Sequence, residues 1–346
     1  MLLAVAVAAG LGGEARSRPA APRAVRLIDC TCYDLFGIRP TGTGRRLLSR
    51  GGARNLFDVS PARSQIVYSH SISVLSSSTI TGAHGRMIAS GSDIHFARYS
   101  PDGTKILYAD DAPASACGHF ALHVVDADGR NNRVLADSCA SFFGTWSPDS
   151  KQIAYVRWDG TNDTSGEIVV VKADGSGAHI LVSGRDFQQL AWAPTGDRIA
   201  YVAGGPQRMI HIVRTDGSKD IAIARGLSVQ WSPDGRRLAF VWERGGIASG
   251  EVTVINRDGT HPRVIDARAV DPYVQGIGWS PDGHTIAYRT ENPSQACSCM
   301  NLYIEQLDGG GRRPLVHGVE HEEFGPLYWT RDGKRLIYTR YVQFGQ

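Results

Sequence analysis

Short apolar runs recur along the chain, each entered from a polar turn: Leu238-Ala239-Phe240-Val241, Ile286-Ala287-Tyr288 and Leu336-Ile337-Tyr338. Their length and alternation predict strands half-buried in a sheet rather than helices. The polar lead-in is itself repeated. Trp231-Ser232-Pro233-Asp234-Gly235 returns as Trp279-Ser280-Pro281-Asp282-Gly283, and weaker copies start at Val59, Tyr99, Trp146, Trp192 and Trp329. The period of roughly 45 residues suits propeller blades, not helical solenoids.

The turn chemistry explains the motif. Proline presets φ at the second turn position, aspartate can bond its own backbone two residues on, and glycine takes the φ > 0 site. The motif therefore predicts a hairpin between strands A and B of each blade. A second hairpin follows in each repeat, as in Leu122-His123-Val124-Val125-Asp126-Ala127-Asp128-Gly129 before Val134-Leu135, because Asp-Gly between apolar runs is a strong hairpin signal. This is the C and D pair.

Counting each hairpin type along the chain gives seven of each. The expected fold class is all-β: a single β-propeller of four-stranded blades, seven in number with six as the alternative. The chain opens on a C and D pair (Tyr33 to Leu48) and ends on an A and B pair (Trp329 to Val342). Pairing of N- and C-terminal strands is expected to close the ring and remove exposed sheet edges. The repeated tryptophans, each able to bury about 150 to 250 Å², are expected to be wedges between blades.

The run Trp231 to Phe240, with Gly250-Glu251-Val252-Thr253-Val254-Ile255-Asn256-Arg257-Asp258-Gly259 after it, resembles the WD40-like repeat of TolB-type propellers. Similar repeats occur in propeller domains of prolyl-oligopeptidase-like and tricorn-like peptidases. The resemblance covers roughly residues 33 to 342 and implies the fold. One repeat serves many activities, so function has to come from a site.

Composition changes the picture little: 42% hydrophobic, 21% charged, and 40 glycines for many turns. A net charge of +3 with both signs interspersed offers no basic stripe for nucleic acid. Residues 1–29 open with the apolar run Met1 to Leu11 and read as a truncated signal peptide or a disordered segment. Residues 30–346 form the propeller. The expected location is outside the cytoplasm: periplasmic, wall-associated or secreted.

Six cysteines form an even set: Cys30 and Cys32, Cys117 and Cys139, Cys297 and Cys299. Cys117 precedes a strand C and Cys139 follows the strand D of the same blade, so their loops should share a face and a bridge between them is reasonable in an oxidising compartment. The two Cys-x-Cys pairs fall in neighbouring blades on that face and could staple the closing seam. The rival reading is a structural zinc site, for which Cys-x-Cys is shorter than the usual spacing.

Other chemistry is sparse. His317-Gly318-Val319-Glu320-His321 matches an inverted zincin pattern, but it follows a strand and contains glycine, where the pattern needs a helix. The loop Asp159 to Glu167, with Asp163, is rich in oxygen ligands and could take calcium, without EF-hand order. No Gly-x-Ser-x-Gly elbow is present. No cofactor is expected.

The longest, least repetitive segments all belong to the B–C and D–A connections, and variable loops on a rigid scaffold are where recognition resides. The leading expectation is thus a non-catalytic, monomeric, exported scaffold binding a protein or cell-envelope component there. His119, Asp159, Asp163, His317, Glu320 and His321 are the candidate ligand-binding residues, with no catalytic residue assigned. One alternative is a secreted hydrolase or lyase at the channel mouth, as some seven-bladed relatives with similar repeats act on uronate sugars. The other is an extracytoplasmic sensor domain of a membrane-anchored protein.

Overall fold

The computed structural model describes residues 32–53, 55–60, 62, 64–111, 120–158, 165–243, 250–267, 276–291, 300–317 and 324–342. Among them the structure is almost wholly strand. The chain begins with β1 (Cys32–Ile38) and β2 (Arg46–Ala53), followed by β3 (Asn55–Val59), β4 (Gln65–Ser71), β5 (Val74–Thr79) and β6 (Arg86–Ser90). Next come β7 (Ile94–Tyr99), β8 (Lys105–Asp111), β9 (Phe120–Asp126), β10 (Arg133–Trp146), β11 (Gln152–Trp158), β12 (Ser165–Lys172) and β13 (His179–Arg185). Two further groups are β14 (Gln189–Trp192), β15 (Arg198–Ala203), β16 (Met209–Arg214) and β17 (Ile221–Arg225), then β18 (Leu227–Trp231), β19 (Arg237–Glu243), β20 (Gly250–Asn256) and β21 (Arg263–Asp266). The last strands are β22 (Ile277–Trp279), β23 (Thr285–Glu291), β24 (Met300–Gln306), β25 (Gly311–Val316), β26 (Phe324–Trp329) and β27 (Leu336–Val342). No described helix is long and apolar enough to cross a membrane.

These strands form antiparallel four-stranded sheets in simple meander order, as blades of a propeller do: β3 to β6, β14 to β17, β18 to β21 and β22 to β25. A fifth has the order β2-β1-β27-β26, with β1 paired to β27 from Cys32 opposite Val342 to Ile38 opposite Leu336. The expected number of separate blades, seven or six, is corrected. Five four-stranded sheets form, and β7 to β13 make one seven-stranded sheet.

The reason lies in β10. Its first half pairs with β9, from Arg133 to Ala140, and its second half pairs with β11, from Ala140 to Trp146. Elsewhere a connection separates the strand ending one repeat from the strand beginning the next. Here one 14-residue strand serves both. Register shifts flank Ala140, and Cys139 beside it has φ of 58°, so the strand changes partners through a local bend.

The Ser-Pro-Asp-Gly motif makes the expected turn. Ser232 Oγ donates to Asp234 Oδ1 at 2.6 Å and accepts the Arg237 N–H at 2.9 Å, while Gly235 N–H donates to Ser232 O at 2.8 Å. Gly235 sits at φ 66°, where a side chain would be strained. The same arrangement recurs at Ser280 and Asp282 (2.5 Å), Ser147 and Asp149 (2.6 Å) and Ser100 and Asp102 (2.6 Å).

Burial lies between sheets. Val156, Ile168 and Leu181 of one sheet pack with Trp192, Ile199 and Tyr201 of the next, and Val229, Trp231 and Phe240 meet Ala200, Val202 and Ile210 in the same manner. The tryptophans are the expected wedges. Indole N–H groups of Trp146, Trp231 and Trp329 donate to carbonyls of Arg98, Ala191 and Gly278, in each case on the preceding innermost strand.

Arginines fasten the outer strands. Arg86 donates to Ala127 O at 2.9 Å and Arg263 to Leu307 O at 2.7 Å, while Arg133 and Arg313 reach the carbonyls of Ala173 and Pro40. Each reaches from the fourth strand of one repeat to a hairpin turn of the next.

Candidate functional site

A cluster of ionisable side chains gathers where β7 begins and β8 ends. Asp93 precedes β7, His95 is its second residue, and Asp110 and Asp111 close β8. The antiparallel register sets Ile94 opposite Asp110, which brings the start of one strand beside the end of the other. Asp111 N–H donates to Asp93 O at 3.1 Å, fixing the two backbones together.

Two histidine and carboxylate pairs result. His95 Nε2 lies 2.8 Å from Asp111 Oδ1, and both side chains are largely solvent-accessible. His123 Nε2 on β9 lies 2.8 Å from Asp110 Oδ1, and this pair is mostly buried. Asp110 also accepts the Ser92 N–H at 3.3 Å. A side chain on Gly91 would collide with the Asp110 carboxylate, so a glycine there is what allows the close approach.

Aromatic rings hold the imidazoles. His123 stacks on Tyr108 at 4.6 Å between centroids, and burial pushes the Tyr108 hydroxyl pKa up to about 12. His95 meets the edge of Phe120 at 4.8 Å. Ligand atoms of Asp93, His95 and Asp111 all lie within 4.8 Å of one another. An O, N, O donor set of this kind on an open surface fits a divalent cation or a hydrogen-bonding ligand.

Several expected site residues fall outside the described residues: His119, Asp159, Asp163, Glu320 and His321, with Cys30, Cys117, Cys297 and Cys299. His317 is exposed and follows β25. Phe120, the residue after His119, is the ring against His95, so the described cluster adjoins that part of the expected face. Glu167 of the expected calcium loop has an oxygen 2.5 Å from Arg157 Nη2, so one of its ligand atoms already serves an ion pair. Cys32 opens β1, and Cys139 is disulfide-bonded.

Sequence reasoning passed over Asp93, His95, Asp110, Asp111 and His123. They come from three separate strands and a connection, and no spacing along the chain joins them. It also passed over the opposite face, where two clefts open beside the Ser-Pro-Asp-Gly turns. One, of about 610 Å³, is lined by Lys105, Arg133, Lys151 and Lys172 together with Asp149 and Asp174. The other, of about 460 Å³, lies between the turn after β3 and the turn after β26.

No protein-family model matches the chain. It is 28% identical over 171 residues to the uncharacterized peptidase YuxL of Bacillus subtilis, which covers 44% of this chain and 23% of that protein. It is 25% identical over 202 residues to the uncharacterized protein Atu1656 of Agrobacterium fabrum, covering 55% of this chain and 67% of that one. The chain thus spans less than a quarter of the length of the Bacillus relative.

Among solved structures, TolB from Acinetobacter baumannii is similar at a TM-score of 0.53 and 15% identity, covering 90% of this chain and 64% of that one. Oligogalacturonate lyase from Vibrio parahaemolyticus is similar at 0.61 and 14%, covering 90% and 98%. A puromycin-hydrolyzing peptidase of Mycobacterium tuberculosis is similar at 0.59 and 16%, covering 85% and 53%. At these identities the likeness concerns the fold, which one repeat lends to binding proteins, lyases and peptidases alike. The chain has the β-propeller fold that TolB shares with these enzymes.

Proposed function

We propose that the protein is an exported, non-catalytic propeller that holds a protein or cell-envelope ligand on the face from which its long connections leave. One observation carries this reading. The connections 111–120, 158–165, 243–250, 266–277, 291–300 and 316–324 all join strand ends on one side. The other side is closed by short turns whose hydroxyl and carboxylate groups bond each other. The His95 and Asp111 pair lies at the root of the first of these connections and offers an imidazole and a carboxylate to a polar ligand.

The same reading takes the five four-stranded sheets and the seven-stranded sheet as parts of one ring closed through β1 and β27. Successive contacts of β3 with β7, β7 with β10, and onward to β22 with β26 and β26 with β3 support it. Export is supported by the Cys139 disulfide, since such bonds persist in oxidising compartments. Cys117 is its proposed partner.

The test is co-sedimentation with isolated cell envelopes of the source organism. The wild-type protein and an Arg236→Gln variant on the turn face are expected in the pellet, and a His95→Ala, Asp111→Asn double variant in the supernatant. Equal behaviour of all three defeats the reading.

The Asp93, His95 and Asp111 donor set favours a second reading, a lyase acting at the same face with a divalent cation, because an oligogalacturonate lyase solved in complex with manganese shares the fold. Turnover of oligogalacturonides that needs added manganese and is lost in His95→Ala would establish it in place of the first.

A further inference from the structure

Five of the turns after the innermost strands share one hydrogen-bond pattern; the turn after β14, with Ala193 and Thr195, lacks the hydroxyl that anchors it, and the turn after β3 keeps that hydroxyl without its aspartate. Ser100, Ser147, Ser232, Ser280 and Thr330 each donate to an aspartate two residues on, at 2.5 to 2.7 Å. Each hydroxyl also accepts the backbone N–H five residues on, at 2.8 to 3.0 Å. After β3 the sequence is Ser60-Pro61-Ala62, with alanine where those five turns have aspartate.

The backbone turn survives this change, because Ser60 N–H still donates to Gln65 O at 2.7 Å. The hydroxyl does not keep its partners. Ser60 is 4% exposed, and its Oγ has no hydrogen-bond partner among the described residues. A buried hydroxyl left unpaired costs about 1 to 3 kcal/mol, a cost that alanine at this position would avoid.

Ser60 lines the cleft of about 460 Å³ between this turn and the turn after β26. Arg39, Arg331, Lys334 and Arg335 surround it, and Val59, Ile80 and Trp329 supply an apolar wall. Asp332 is the acid of the lining, and it is already engaged by Thr330 Oγ1 at 2.7 Å and Lys334 N–H at 3.1 Å. Loss of the aspartate at position 62 therefore does two things at once. It frees a buried donor and removes a negative charge from a ring of cations.

We propose that this cleft binds a tetrahedral oxyanion, a phosphate or sulfate ester, on a small organic body. Ser60 donates one hydrogen bond to the anion. The guanidinium groups of Arg335 and Arg39 supply forked, charge-assisted donors suited to such oxygens. The apolar wall at Trp329 accommodates the organic part, and the volume is in the range of small-molecule sites. The site lies on the face opposite the long connections and stands independently of the ligand proposed there.

Thermal unfolding and titration calorimetry with inorganic phosphate, sulfate and chloride at matched ionic strength test this. Phosphate or sulfate is expected to stabilise the wild-type protein saturably, beyond the effect of chloride, by ligand linkage. Stabilisation by one of the two anions only identifies which ester is bound. Arg335→Gln and Ser60→Ala are expected to weaken binding about tenfold or more, and Ser60→Ala to leave the melting temperature of the free protein unchanged or higher. Ala62→Asp is the decisive variant: it restores the turn's usual partner, raises the melting temperature of the free protein and abolishes anion binding. Lys151→Gln, in the other basic cleft, should bind as the wild type does. Stabilisation that follows ionic strength alone, or an Ala62→Asp protein that binds the anion unchanged, overturns the proposal.

Discussion

The indole N–H of Trp231 donates to the carbonyl oxygen of Ala191 across 3.0 Å, joining the innermost strands of two successive sheets. The ring itself is 8% exposed and packs with Val229 and Phe240. This one residue therefore supplies both apolar burial and the polar contact that fixes the spacing of neighbours. Trp231→Phe should cost about 1 to 2 kcal/mol, mostly through the lost hydrogen bond, and Trp231→Ala about 3 to 5 kcal/mol through the cavity as well. Denaturant unfolding of the two variants checks the ratio.

Stability should depend on pH through two groups of aspartates with opposite signs. The carboxyls of Asp149, Asp197, Asp282 and Asp332 are held below the usual range, first of all by the hydroxyls of Ser147, Thr195, Ser280 and Thr330. Their contribution is complete above the unfolded value near 4 and is lost as pH falls below it. Asp58, by contrast, is pushed up to about 6 by burial, against the opposing charge of Arg98 and the N–H groups of Tyr99 and Val59. Its contribution is present below about pH 4, declines as pH rises to about 6, and stays low above that. Asp58→Asn should thus stabilise the protein at pH 7.5 relative to wild type more than at pH 4. Melting temperatures of both proteins at the two pH values decide it.

The arginine contacts between outer strands predict a chemical preference. Arg263 reaches Leu307 O at 2.7 Å and also lies 3.3 Å from Glu305 Oε1. Arg263→Met should cost about 1 kcal/mol. Arg263→Lys should recover only part of it, because a single ammonium cannot reproduce the two-directional fork. Full recovery by lysine would show that charge alone matters here.

Cys139 tests the oxidising compartment and the bend in β10 together. Reduction, or Cys139→Ser, should lower stability by about 2 to 4 kcal/mol. Intact mass with and without thiol alkylation reports whether the bond is formed, and melting under reducing conditions reports its worth. Unchanged melting after confirmed reduction would exclude a stabilising role.

Gly91 offers a local test of the histidine cluster. Gly91→Ala should displace the Asp110 carboxylate from His123 and from the Ser92 N–H. A shift of the His123 ring signals in NMR spectra, with the His95 signals little changed, is the expected result.

What the chain determined by itself is what depends on neighbours in sequence. Ser232, Asp234 and Gly235 lie within four residues, so their turn and the strands leading from it were legible from local chemistry. The alternating runs around Leu238 and Ile286 likewise revealed which side chains would be buried. The tertiary structure decided what depends on residues far apart. Nothing near Cys139 announced that β10 would run through into the next repeat, because a strand continues or breaks according to the strands beside it. Asp93, His95, Asp111 and His123 met only because antiparallel pairing set strand starts against strand ends. Ala62 was visible as an imperfect repeat, but its consequence was not. Only packing shows that the hydroxyl of Ser60 is buried without a partner and that Arg39 and Arg335, 296 residues apart in numbering, line the same cleft.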